Sequence, residues 1–143
     1  MVISSTDVRI KLKTLWPSLN HIWLRNKKYI APSINELVEL VYKYDKSYLP
    51  FIKKFNECEN YALFLHSDVK LYRVDKTLAK QERLNWAFGD MLCEKKGLTG
   101  WKSHTANICI CKEGIYIIEP MRKKKKVERA NVKRYKVFYI NLM

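Results

Sequence analysis

The chain has 143 residues, 48% of them apolar and 13% aromatic, with four glycines and four prolines. That composition excludes a disordered or linker-rich chain and predicts a single domain over residues 1–143 with a buried core. Twenty-eight Lys and Arg against 14 Asp and Glu give a formal charge of +14, which draws polyanions such as nucleic acid, a cell-wall polymer or an anionic membrane surface without choosing among them. No apolar run approaches the ~18 residues of a transmembrane segment. The start, Met1 to Asp7, lacks the charged and then apolar regions of a secretory signal. The expectation is a cytoplasmic protein, or one released without a cleavable signal peptide. Four cysteines, Cys58, Cys93, Cys109 and Cys111, are then expected as reduced thiols rather than a disulfide framework.

Residues 1–30 are the least legible. Val8, Ile10 and Leu12 alternate with Arg9, Lys11 and Lys13, which fits a short strand or one face of a helix. Trp16-Pro17 ends that element, because proline disfavours helix in the residue before it. His21 to Leu24 reads as a short apolar anchor. Ser33 with Glu36 three residues on predicts a capping box. Leu37, Leu40, Val41 and Tyr44 follow at helical spacing. A second helix is predicted from Asn56 or Glu57, with Cys58, Ala62, Leu65 and Val69 on one face. Val74 to Arg83 is polar and ambiguous. Leu84 to Cys93 suggests a strand interrupted by a turn at Gly89-Asp90. From His104 the period changes to two: a strand to Cys111, a turn at Lys112-Glu113-Gly114, and a returning strand to Glu119. Tyr135 to Ile140 is a last strand. Helices first and an antiparallel sheet last make the class α+β, with N-terminal helices packed on a C-terminal antiparallel sheet.

The chemistry concentrates at Cys58. A thiol is a strong nucleophile only as thiolate, and its ordinary pKa of ~8.5 leaves little of that form at neutral pH. A helix N-terminus and a neighbouring imidazole both favour the anion. Of the three histidines, His66 lies two helical turns beyond Cys58 and His21 has no evident partner. His104 opens the strand before the hairpin, where a carboxylate can reach it. Register decides that contact. With the hairpin centred between Lys112 and Glu113, Glu119 falls opposite Ala106, on the face of His104; a half-residue shift sets it opposite Asn107 and breaks the set. The candidate roles are Cys58 as nucleophile, His104 as base and acid, and Glu119 orienting the imidazole. Asn56 is either an oxyanion donor beside the Cys58 N–H or the helix N-cap. Trp101 and Asn107 are cleft candidates, with core packing and structural hydrogen bonding as the alternatives.

Cys58-Glu59-Asn60-Tyr61-Ala62, Trp101-Lys102-Ser103-His104-Thr105-Ala106-Asn107 and Ile118-Glu119-Pro120 resemble the papain-like cysteine-protease superfamily. The similarity is strongest to the papain-like C-terminal domain of the Marasmius oreades agglutinin group and to related small bacterial and phage proteins. It covers residues 56–120, about half the chain. The resemblance implies a papain-like (transglutaminase-like) fold and a Cys-His-Glu thiol hydrolase, a peptidase, amidase or acyl-transfer enzyme, acting on a peptide or amide substrate without a cofactor. No Gln precedes Cys58 to serve as the oxyanion donor that papain carries. The alternative function is a basic nucleic-acid- or polyanion-binding module on the same fold, motivated by the charge and by the run Arg122 to Lys126. Cys93, Cys109 and Cys111 have no spacing of a common zinc site, so no metal is expected.

Overall fold

The computed structural model describes residues 1–53, 57–76 and 84–142. Among them the elements run β1 (Val2–Ser4), α1 (Ser5–Leu15), β2 (His21–Leu24), β3 (Lys28–Ile30), α2 (Ile34–Lys43), α3 (Cys58–Lys76), β4 (Phe88–Gly97), β5 (Gly100–Cys111), β6 (Gly114–Ile118), β7 (Val127–Arg129) and β8 (Tyr135–Leu142). β1 and β3 form a small antiparallel pair, and six strands form one sheet in the order β2-β8-β4-β5-β6-β7. No described helix is long and apolar enough to cross a membrane.

The expected arrangement of a helical N-terminal half on a C-terminal antiparallel sheet is corrected here. β1 precedes α1, and β2 and β3 separate α1 from α2. The sheet is mixed, because β2 from the N-terminal part runs parallel to β8, with His21 opposite Tyr139 and Leu24 opposite Leu142. Such a pairing has no local signature, since the partners lie far apart in the chain and only tertiary packing brings them together. The alternation at Val8, Ile10 and Leu12 belongs to helix α1, which buries Val8 and Leu12 and leaves Ile10 exposed. Its N-cap is Ser4, whose hydroxyl accepts from the Asp7 N–H. In α2 the Ser33–Glu36 capping box is present in both directions.

The sheet separates two cores. On one face α1 packs through Val8 and Leu12 with Met91, Ala106, Ile108, Ile110, Ile117 and Ile140. On the other, Leu37, Leu40 and Val41 of α2 and Leu65 and Val69 of α3 pack with Phe88, Cys109, Cys111 and Ile118. The period of two along β5 assigns Ile108 and Ile110 to the first core and Cys109 and Cys111 to the second. Gly89 is not a turn but lies inside β4. A Cβ there would fall 1.9 Å from the Asn141 carbonyl oxygen, so glycine is what lets β8 approach this closely. The basic run is also not a uniformly solvated loop. Lys126 is buried, its ammonium 2.9 Å from Asp45 Oδ1 and donating to the Pro120 carbonyl at 3.2 Å. Residues 77–83 of the ambiguous polar stretch, and Asn56, lie outside the described residues.

Candidate functional site

α3 begins at Cys58, so the thiol sits in the first turn, where unpaired backbone N–H groups favour negative charge. The turn is fixed locally by the Asn60 side chain, which accepts from the Glu57 N–H at 2.9 Å. It is fixed against the sheet by Asn107, whose amide donates to the Ala62 carbonyl at 2.9 Å and to the Gly89 carbonyl at 3.2 Å. The Tyr61 hydroxyl donates to the Leu49 carbonyl and ties the helix start to the preceding loop. Asn107 is completely buried. Its work is to clamp α3 to β4 and β5, and it lines no cleft.

The β5–β6 pairing runs from Cys111 opposite Gly114 to Asn107 opposite Ile118. Continued by one residue it sets Glu119 opposite Ala106. His104 Nε2 is 2.7 Å from Glu119 Oε2. A carboxylate only accepts, so Nε2 carries the hydrogen and Nδ1 is the ring nitrogen not engaged by Glu119. Cys58 lies near enough to the His104 side chain and to Thr105 for both to lower its pKa. The structure therefore brings Cys58, His104 and Glu119 together. Trp101 is partly exposed at the far end of β5, with the Lys136 ammonium 4.2 Å from its ring centroid.

Two residues join the set that sequence reasoning does not reach. Lys95 of β4 donates to Glu119 Oε1 at 2.8 Å, and the Tyr135 hydroxyl at the start of β8 donates to the same oxygen at 2.6 Å. Tyr135 is also 2.7 Å from Glu128 Oε1, and Glu128 pairs with Arg134 at 2.9 Å. Nothing in the sequence marks Lys95 among 28 basic residues. Its role appears only when β4 lies beside β5.

The electrostatics follow from these contacts. The hydrogen bond from His104 lowers the Cys58 pKa, against the opposing effect of burial. Burial alone would lower that of His104, but the bonds to Cys58 and Glu119 win and raise it to about 9. Burial likewise opposes ionisation of Glu119, and His104, Lys95 and Tyr135 together overcome it, holding the carboxyl at about 2. The arrangement shifts the Cys58–His104 pair toward thiolate and imidazolium and keeps Glu119 ionised. Cys93 behaves oppositely: burial, and then the charge of Glu119, push its thiol up to about 12.

Solved structures share this fold. A chain of the Polyporus squamosus lectin PSL1a in complex with E64 superposes with a TM-score of 0.75 at 15% identity, covering 99% of this chain and 50% of that one. The same lectin bound to the human-type influenza-binding epitope Neu5Acα2-6Galβ1-4GlcNAc gives 0.74 at 15% identity, covering 99% and 49%. The chain thus spans about half the length of these lectin chains. No family model and no curated protein matches it. At this identity the likeness shows the fold.

These findings correct the resemblance. The matching structures are described as lectin chains, not as papain-like proteases, and the fold is accordingly the one shared with half of a lectin chain. The thiol-hydrolase function, the peptide or amide substrate and the nucleic-acid or polyanion module are withdrawn with the resemblance. Short motifs around a cysteine and a histidine carry local geometry, and that geometry alone does not establish a family.

Proposed function

We propose that Cys58, His104 and Glu119 form a nucleophilic thiol centre that captures an electrophilic carbon. The observation that carries this is the 2.7 Å contact of Glu119 with His104 Nε2, beside a thiol at a helix N-terminus whose pKa the same imidazole lowers. Cys58 would attack as thiolate. With an epoxide, a C–S bond forms as a ring C–O bond breaks, and the alkoxide takes the proton from the His104 imidazolium. Glu119 holds the ring in the orientation that keeps Nδ1 toward sulfur. E64, the compound bound in the PSL1a complex, is an epoxide and serves as the probe. Incubation at pH 6.5 followed by intact and peptide mass spectrometry is expected to find one E64 adduct, on Cys58. Absence of an adduct at Cys58, or labelling spread evenly over the four cysteines, overturns the proposal.

Glycan binding is the second reading. It is favoured by the fold shared with a lectin bound to a sialylated oligosaccharide. A groove of about 810 Å³ offers suitable chemistry: the half-exposed Phe138 supplies aromatic surface, and Asn20, His21 and Lys136 supply polar groups. Calorimetric titration with Neu5Acα2-6Galβ1-4GlcNAc is expected to show saturable binding that weakens in Phe138→Ala. A flat titration at millimolar ligand removes this reading.

A further inference from the structure

We infer that Lys95 is a positioning residue of the thiol centre, holding Glu119 in place and ionised whether or not His104 carries its second proton. The inference deepens the thiol centre proposed above and rests on it. A carboxylate has two oxygens, and here they are divided. Oε2 meets His104 Nε2 at 2.7 Å, while Oε1 takes the Lys95 ammonium at 2.8 Å and the Tyr135 hydroxyl at 2.6 Å. With Oε1 pinned from two strands, Glu119 cannot rotate away from the imidazole.

The charge balance gives the second part of the role. The Glu119 side chain is 3% exposed. A buried carboxylate needs a cation or becomes protonated. His104 is a cation only while its imidazole holds both protons. When the imidazole gives up its proton, Lys95, itself 17% exposed, is the positive charge that remains in direct contact with Glu119. The surrounding groups do not replace it. Tyr135 of β8 is neutral, Cys93 of β4 and Cys58 of α3 are acids, and Arg134 is engaged by Glu128 of β7 on the far side of the Tyr135 hydroxyl.

Removing this cation makes proton loss harder for both partners of the pair. In Lys95→Met the His104 titration midpoint is expected to rise by about one pH unit, and the acid limb of Cys58 alkylation to move up with it. Lys95→Arg should retain the wild-type profile. Lys96→Met, a neighbouring exposed lysine whose loss changes net charge equally, should leave it unmoved. The measurement is ¹⁵N NMR titration of the imidazoles in the Cys58→Ser background, paired with pH-dependent iodoacetamide alkylation in proteins that retain Cys58. A wild-type His104 midpoint in Lys95→Met, or equal losses in Lys95→Met and Lys95→Arg, overturns the inference. The NMR arm does not need a reactive thiol. An ordinary Cys58 alkylation rate in the unmodified protein would sink the thiol centre instead, so the two failures are distinguishable.

Discussion

Two histidines lie at the seam of α3 and the sheet, His66 on the helix and His104 on β5, and both contact a carboxylate at 2.7 Å: His104 with Glu119, and His66 with Asp90. They differ in everything else. His66 is buried between α3 and the sheet, edge-on to Phe88 at 6.0 Å, and its Nε2 has no partner among the described residues. His104 uses one nitrogen on Glu119 and has the Cys58 thiol at the other side of the ring, while its carboxylate is held by Lys95 and Tyr135. An imidazole–carboxylate contact is therefore not in itself a site. The nucleophile at the helix start, and the groups that fix the acid, are what set one pair apart.

That contrast breaks most sharply on thiol reactivity. At pH 6.5 wild-type Cys58 should alkylate about 10–100-fold faster than a free thiol, and His104→Ala should return it to the free-thiol rate. His66→Ala should leave the rate unchanged. Parallel iodoacetamide kinetics on the three proteins decide the matter, and equal loss in both histidine variants would erase the distinction. In stability the order reverses. His66→Ala leaves a cavity in the helix–sheet seam, where the His66 side chain is 3% exposed, at a cost of about 1–3 kcal/mol by urea denaturation, whereas His104→Ala leaves Glu119 still held by Lys95 and Tyr135 and should cost less.

Asn107→Ala sharpens the comparison from the other side of α3. It removes the side-chain donor to the Ala62 and Gly89 carbonyls and should cost about 1–3 kcal/mol, with Cys58 alkylation slowed less than in His104→Ala. A smaller effect comes from pH. The Glu119 carboxyl is held at about 2, below its ordinary 4.5. A depressed carboxylate contributes stability above its unfolded pKa and loses it as pH falls through the folded one. The advantage of wild type over Glu119→Gln should thus be full above pH 4.5 and vanish toward pH 2. Denaturation midpoints across that window test it, and an advantage that persists at pH 2 would contradict the assignment.

How much of the molecule is legible in its sequence depends on distance along the chain. Ser33 and Glu36 announce a helix start because both partners of the capping box lie within one turn. The β5–β6 hairpin shows in the period of two around Lys112-Glu113-Gly114, but that pattern admits two registers, and the pairing of Cys111 with Gly114 is what sets Glu119 opposite Ala106. The parallel β2–β8 pairing has no such local cue, and the fold class expected from the order of elements fails on it. Gly89 has the sequence context of a turn residue, although it is the approach of Asn141 that demands it. Lys126 reads as one more charge in a basic run, although Asp45 and the Pro120 carbonyl hold it inside. Cys58, His104 and Glu119 can be named from residue type and spacing. Lys95 and Tyr135 cannot, because a lysine and a tyrosine are common residues that become part of a site only through contacts across strands.

The pairing of β2 with β8 also governs how the molecule assembles. The Trp16 indole donates to the Tyr135 carbonyl 119 residues away, and the Tyr29 hydroxyl to the Leu142 carbonyl 113 residues away. During synthesis the N-terminal segment therefore has no sheet to join until β8 has emerged. The contacts that close this side of the sheet pay their loop-closure entropy last, so refolding is expected to show a slow step governed by β2 docking.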